Sequence, residues 1–397
     1  MAKRQAESDG RAADEVNDSA DLAIVGGGVI GLSIAYVLAR EGMRCVVYDQ
    51  GEMGRQASWA GAGLLPALSE RIDSSPLLAL RSWSAVLYPE WSAILRESTG
   101  IDNGYRRTGG VDVARTDAEE ADLRVAAGRW RREGVVFERM PPGDYVRVEP
   151  ALNPDLRAVY FLPDRAQIRN PRHLKALEAS LRASRVELKA GTRIEGFETA
   201  SGRVSGVRTS EGLQPVGAVV IAAGAWSGPL LAGLGAKLDT APLKGEIVLL
   251  KSDRPLLRRI VEHGRNYLVP RDDGRILIGA SEENAGFDTR PTPQAIRELL
   301  DEALMLCPGL ASAEVERTWA GLRPGSVDTR PYLGHLRDFE NLYVATGHKR
   351  AGLQLAPATA EVMADLILGR PLRIDLAPFA PERVPSGAEG DDPGFRS

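Results

Sequence analysis

The sequence predicts an α/β fold: a discontinuous Rossmann-like domain carrying an inserted antiparallel-sheet α+β domain. Three features point to it. A glycine-rich turn lies between an early strand and helix, two runs of buried-strand character lie far downstream, and a hairpin-rich stretch separates them. The early strand, Leu22-Ala23-Ile24-Val25, runs into Gly26-Gly27-Gly28-Val29-Ile30-Gly31, spaced Gly26-x-Gly28-x-x-Gly31. In this pattern Gly26 allows the tight turn, Gly28 lets backbone approach a pyrophosphate, and Gly31 lets the next helix pack against the sheet. That helix, predicted over 29–41, turns its N–H-rich, partly positive end toward the phosphates. A second strand, Cys45-Val46-Val47-Tyr48, ends on Asp49, 18 positions after Gly31. This is close to the roughly 20 expected of a carboxylate that grips ribose hydroxyls. Glycines alone carry little; between strand and helix, with a second strand ending on an acid, they specify a dinucleotide site.

At 397 residues the chain has room for two or more cores of about 100–200 residues each. Charged residues make up 26% and the net charge is −4, interspersed in sign, so no nucleic-acid footprint is expected. No apolar run approaches the roughly 20 residues that span a bilayer, and no membrane contact is expected. Residues 1–19 and 379–397 read as disordered tails, and the first lacks the apolar stretch of a secretion signal. The only cysteines, Cys45 and Cys307, exclude a disulfide framework and suit a reducing cytoplasm. No metal is expected.

Along the chain, residues 54–65 are too rich in small side chains for a core helix and too poor in charge for an idle loop. A helix is predicted over 76–98, with Leu80, Trp83, Leu87, Trp91 and Ile94 at helical spacing. Strands are expected at 110–114 and 159–162. A helix at 173–184 then leads into a β meander at 186–192 and 204–209. Residues 219–223 form an unbroken apolar run ending on Gly224, as in a parallel strand buried on both faces that stops where backbone meets a ligand. Strands at 246–251, 265–271 and 275–280 read as antiparallel, the last two joined by the turn Asp272-Asp273-Gly274. A helix at 292–306 follows, then a strand at 341–346, a loop at 347–354 and a helix from Pro357, with proline in its first turn. Segments 20–105, 163–239 and 325–378 then form the nucleotide-binding domain, and 106–162 with 240–324 form the second domain.

Three stretches together resemble the D-amino-acid oxidase superfamily of FAD enzymes. They are Gly26-x-Gly28-x-x-Gly31 with Asp49, the run Val219-Val220-Ile221-Ala222-Ala223-Gly224, and Thr346-Gly347-His348-x-Arg350-x-Gly352. Longer strings resemble the glycine oxidases of thiamine biosynthesis: Arg55-Gln56-Ala57-Ser58-Trp59-Ala60-Gly61-Ala62-Gly63, Trp319-Ala320-Gly321-Leu322-Arg323-Pro324-Gly325, and the stretch from Gly347 to Thr359. The likeness covers about 21–371. It implies FAD, held non-covalently because neither cysteine falls near the substrate arginine.

By this resemblance Gly26, Gly28, Val29, Ile30 and Gly31 line the pyrophosphate, and Asp49, with Gln50 beside it, binds the adenosine ribose. Ala57 and Ser58 contact the phosphates. Ala62, Gly63 and Leu64 pass under the flavin ring, where only small residues admit backbone so close. The main chain of Ile194 pairs with the adenine. His348, Lys349, Arg350, Ala351, Gly352, Leu353 and Gln354 form the loop at the pyrimidine end of the ring. His348 makes a backbone contact with no acid–base duty, and Lys349 stands where relatives often carry an aromatic residue.

For the substrate the resemblance implies an α-carboxylate held by Arg323, a planar and permanently charged fork matched to two oxygens. Tyr267 is the pocket's hydroxyl donor, and Arg350 is a second arginine near substrate and flavin. The implied activity is oxidation of glycine or a similar small amine acid by hydride transfer to flavin. Oxygen is the acceptor, and the products are glyoxylate, ammonia and hydrogen peroxide. A sarcosine or D-amino-acid oxidase, a dehydrogenase with another acceptor, and a flavin-bound partner protein of little turnover stay open. So do a homo-oligomer and a thiazole synthase of the same pathway as partners.

Overall fold

The computed structural model describes residues 20–67, 69 and 75–384. The tail predicted at 1–19, and that at 379–397 from residue 385 on, lie outside the described residues. Residues 379–384 do not behave as a tail. Phe379 is fully buried in the core, and Arg383 pairs with Asp328 at 2.7 Å while covering the Tyr332 ring.

The first sheet has the order Tyr332–His335, Leu342–Thr346, Gly212–Ile221, Ala20–Val25, Cys45–Asp49, Glu187–Ala190. All neighbours are parallel except the first pair. Ile24 lies between Val220 and Val47 in register. Because successive side chains point to opposite faces, Leu22 and Ile24 enter one core with the helices Val29–Arg40, Pro76–Thr99, Asn170–Arg182 and Gly352–Ile367. Ala23 and Val25 enter another, under the hairpin Gly196–Ala200 and Arg203–Thr209. Trp91 sits in the first core, and Trp83 packs at its edge. The strand Glu187–Ala190 thus joins the parallel sheet beside Cys45–Asp49 and is not part of a meander.

The second sheet runs Glu314–Ser326, Thr240–Lys251, Arg275–Gly279, Asn266–Pro270, Ile260–His263, Gly110–Ala114, Ala158–Leu162, Glu138–Arg139. It is antiparallel apart from the pair Ile260–His263 and Gly110–Ala114. Alternation divides its faces too. Val248, Leu268 and Ile278 pack against Leu299, Ala303 and Leu306 of the helix Pro293–Leu306. Ile247, Tyr267 and Leu277 face Ala62 and Leu64 of the segment after the second strand.

Three further differences from the sequence reading matter. The strand Glu314–Ser326, which carries Arg323, had no strand signal of its own. Within the small-residue stretch, Ala57–Ala60 is a single helical turn. The last helix begins at Gly352 and not at Pro357, so the proline lies inside it. No helix among the described residues is long and apolar enough to cross a membrane.

Candidate active site

A cavity of about 730 Å3 opens at the carboxyl ends of the parallel strands, the usual ligand position in such sheets. Its walls run from the glycine turn past Ala57–Leu64 to the inner face of the second sheet and back along the return loop.

The first wall is built for a nucleotide. Gly26 has φ +113°, and a Cβ there would lie 2.3 Å from the Ala222 carbonyl oxygen. Gly31 is no wall residue. Its missing side chain lets the helix press onto the turn, since a Cβ would meet the Gly26 carbonyl at 2.0 Å. Gly28 caps the helix Val29–Arg40 without a side chain, and Val29 N–H donates to Ser58 Oγ at 2.9 Å. Asp49 accepts from Gly27 N–H at 2.9 Å on one oxygen and from Gly51 N–H at 2.8 Å on the other. Each oxygen keeps lone-pair capacity for a ligand hydroxyl. Ile30, Gln50, Ala57 and Ile194 line the same wall.

The strap Ala62-Gly63-Leu64 is held from behind. Gly63 has φ +77°, and a Cβ would lie 1.9 Å from the Ile168 carbonyl, so only glycine fits. Ile168 N–H donates to Gly63 O at 2.8 Å. Asn170 Nδ2 donates to the carbonyls of Ser58 and Gly61. Arg271 donates to Ala62 O at 2.6 Å and to Gln167 Oε1 at 2.6 Å. Neither Asn170 nor Arg271 stood out in the sequence. Arg271 directly follows the strand Asn266–Pro270, just before a turn, and its partners lie more than 100 positions away.

Beyond the strap stand the predicted substrate residues. Arg323 and Tyr267 both border the cavity, and each lies over a glycine of a neighbouring strand. A Cβ on Gly245 would approach the Arg323 guanidinium to 2.3 Å, and one on Gly279 would approach the Tyr267 hydroxyl to 2.5 Å. Arg323 Nη1 donates to Ser281 O at 3.0 Å, and the nearest carboxylate, of Glu282, is 3.9 Å away. Burial lowers the Arg323 pKa and raises that of Tyr267, while the arginine charge pulls the phenol the other way. Arg350 lies on the same wall and donates to Arg265 O at 3.1 Å.

The return loop supplies the last wall. His348 is buried, its Nε2 lies 3.2 Å from Thr359 Oγ1, and burial pushes its pKa down to about 3. It is therefore neutral at ordinary pH. Lys349 takes a left-handed backbone, φ +49°, and its N–H donates to Pro324 O at 2.8 Å. Gly352, Leu353 and Gln354 line the cavity, whereas Ala351 is turned into the core.

A glycine-lined nucleotide cradle continuous with a buried tyrosine and a mostly buried arginine defines a dinucleotide-dependent oxidoreductase. The chain belongs to the family of FAD-dependent oxidoreductases (DAO), whose family model matches residues 21–366. It is 40% identical over 365 residues to the glycine oxidase of Pseudomonas putida, covering 92% of this chain and 99% of that protein. The bifunctional protein ThiO/ThiG of a Nostoc species is 34% identical, over 88% of this chain and 52% of its own length. The crystal structure of glycine oxidase from Geobacillus kaustophilus superposes with a TM-score of 0.88 at 37% identity, covering 92% of this chain and 99% of that one.

The residues present fit FAD. The cradle would be filled by any Cβ at Gly26, and the buried oxygens Asn170 Oδ1 and Gln354 Oε1 have no hydrogen-bond partner among the described residues. Both residues border the cavity, where a ligand with N–H and O–H groups would satisfy them.

Proposed function

We propose that the protein oxidises glycine, or a small amino acid close to it, with FAD and oxygen. The redox chemistry would be supplied by bound FAD, an acceptor of two electrons and a hydrogen that oxygen can reoxidise. The chain's own residues bind and orient. Arg323 grips the α-carboxylate in a two-pronged ion pair, the Tyr267 hydroxyl adds a donor to it, and Arg350 flanks the same end. Gly26, Gly28, Val29 and Ile30 cradle the pyrophosphate while Gly31 keeps the helix close. Asp49 with Gln50 holds the ribose, Ala57 and Ser58 touch the phosphates, and Ile194 meets the adenine. Ala62, Gly63 and Leu64 underlie the ring, and residues 348–354 border its far end. Segments 20–105, 163–239 and 325–378 serve the cofactor, and 106–162 with 240–324 supply the substrate face.

One observation carries this reading: a mostly buried guanidinium on the cavity wall with no carboxylate closer than 3.9 Å among the described residues. A buried cation of that kind is costly unless an anion completes it, and an amino-acid carboxylate does so. If the substrate amine binds uncharged, the transfer needs no base from the protein. Relatives named glycine oxidase support the choice of substrate, and those named ThiO/ThiG support a supply role toward a thiazole synthase in thiamine synthesis. The unpaired, buried Cys45 and Cys307 agree with a cytoplasmic setting.

The test is anaerobic mixing of the yellow holoenzyme with glycine, sarcosine, D-alanine or D-proline, followed by peroxide release in air. Bleaching by glycine is expected. A flavin that none of the four bleaches would overturn the proposal.

A further inference from the structure

Arg271 is a buried cation whose neighbours are almost all carbonyls. Its guanidinium donates to Ala62 O and Gln167 Oε1 at 2.6 Å each and to Ile168 O at 3.2 Å, while Nε has no partner among the described residues. The two carboxylates of the adjoining turn are engaged elsewhere. Asp272 pairs with Arg106 at 3.1 Å, and Asp273 pairs with Arg169 at 2.7 Å and Arg275 at 3.1 Å. A buried charge of this kind is costly before its hydrogen bonds offset it, and a neutral side chain would fill the same space. Its charge therefore calls for a use.

The use lies across one peptide bond. In a trans peptide the carbonyl and the following N–H point in opposite directions. With Ala62 O held by Arg271 behind the strap, the N–H of Gly63 points away from Arg271. Gly63 is buried and borders the cavity, and among the described residues its N–H has no acceptor. A charge-assisted bond to the carbonyl draws electron density through the peptide and strengthens the N–H at its other end. The Gly63 backbone cannot drift from this position, because Ile168 holds its carbonyl and excludes a side chain.

The geometry points to Arg271 as a positioning residue that orients and polarises the Ala62–Gly63 peptide, making the Gly63 N–H a fixed donor to the electron-rich, reduced form of the redox group. This rests on the reading that FAD lies over the strap. Arg271 touches neither substrate nor cofactor; it acts through the peptide and through its charge, which favours the more negative form.

The test uses holoenzyme and readouts other than turnover: the two-electron midpoint potential of bound FAD, and the affinity for sulfite, an anion that adds covalently to the flavin. R271M is expected to stay yellow. The equilibrium between its reduced and oxidised forms shifts about tenfold toward oxidised, a potential lower by about 30 mV, and sulfite binds about tenfold more weakly. R271K, which keeps the charge, stays within threefold of wild type on both measures. R271Q carries the neutral arm if R271M does not fold. A neutral variant that holds FAD with its equilibrium between reduced and oxidised forms within twofold of wild type overturns the inference. So does an R271K shifted as far as R271M, or loss of FAD by all three variants with folding intact, which would make the role purely structural. A wild type that takes up no FAD sinks the proposed function together with this inference; a yellow wild type beside an unmoved R271M sinks only the role of Arg271.

Discussion

Gly245 is the floor on which Arg323 rests: a methyl group at this position would lie 2.3 Å from the nearest guanidinium nitrogen. The glycine is fixed there by register, opposite Gly321 on the neighbouring strand, and Gly321 in turn leaves room for Ala60. Gly245→Ala therefore displaces the arginine head without touching the nucleotide cradle. The expected result is a Michaelis constant for glycine raised at least tenfold, with FAD affinity unchanged. An unaltered Michaelis constant would show that the guanidinium has another place to bind from.

Arg323→Ala removes the carboxylate clamp itself. Truncating one partner of a buried ion pair costs about 2–5 kcal/mol, which corresponds to a rise of roughly 30-fold or more in the Michaelis constant. Arg323→Lys keeps the charge but not the fork, and recovers part of the loss. Steady-state kinetics on both variants, with FAD content measured alongside, separates substrate binding from cofactor loss. A Michaelis constant that stays put in Arg323→Ala would take this residue out of the role.

The parts of this site that could be read in the chain are those whose function is local. Gly26, Gly28 and Gly31 belong to one turn, and Asp49 closes the next strand, so strand–turn–helix spacing was enough to find them. The two N–H donors to Asp49 add anchoring that spacing does not reveal. Gly245 and Gly279 act through residues brought beside them by sheet register, Arg271 through the strap and the Gln167–Ile168 segment folded against it, and nothing near them in sequence signals it. The strand Glu314–Ser326 escaped for a different reason. It lies at the sheet edge, half-exposed over much of its length, and Pro324 within it is tolerated because an edge strand need not donate every ladder bond. An alternating apolar pattern, the usual sign of a strand, is correspondingly missing.

His263 gives the second sheet and its helices a pH-dependent tie. Its ring bridges Glu302 at 2.5 Å and Glu119 at 3.2 Å, joining two helices that flank the sheet. The hydrogen bond to Glu302, more than any other contact, raises its pKa above the ordinary 6.5. The folded protein thus holds the proton more tightly than the unfolded chain does. The stabilisation is complete below pH 6.5 and fades as pH rises through the raised folded value. His263→Gln should lower the melting temperature by on the order of 2 °C at pH 6, as expected for about 1 kcal/mol. The gap should narrow by pH 9. Melting curves of both proteins at the two pH values decide it, and a gap that is constant across them would remove the charge from the explanation.

Proline reads as a helix start, and Pro357 lies inside a helix because two side chains of a neighbouring helix make up for what it lacks. Without an N–H, Pro357 leaves the Leu353 carbonyl without its helical donor. The Tyr88 hydroxyl donates to that carbonyl instead. One residue on, Ala358 N–H donates to Ser84 Oγ at 3.0 Å, so the opened turn is completed from Pro76–Thr99. Tyr88→Phe leaves the carbonyl buried and unpaired, at a cost of about 1–3 kcal/mol. Since Leu353 and Gln354 border the cavity, the loss reaches the end of the site where the flavin ring is proposed to lie. The expected variant melts at least about 2 °C lower and releases FAD more readily than wild type, with the Michaelis constant of its FAD-saturated form little changed. Thermal melts with and without added FAD measure both effects, and a variant that matches wild type in each would mean that the Leu353 carbonyl has found another donor.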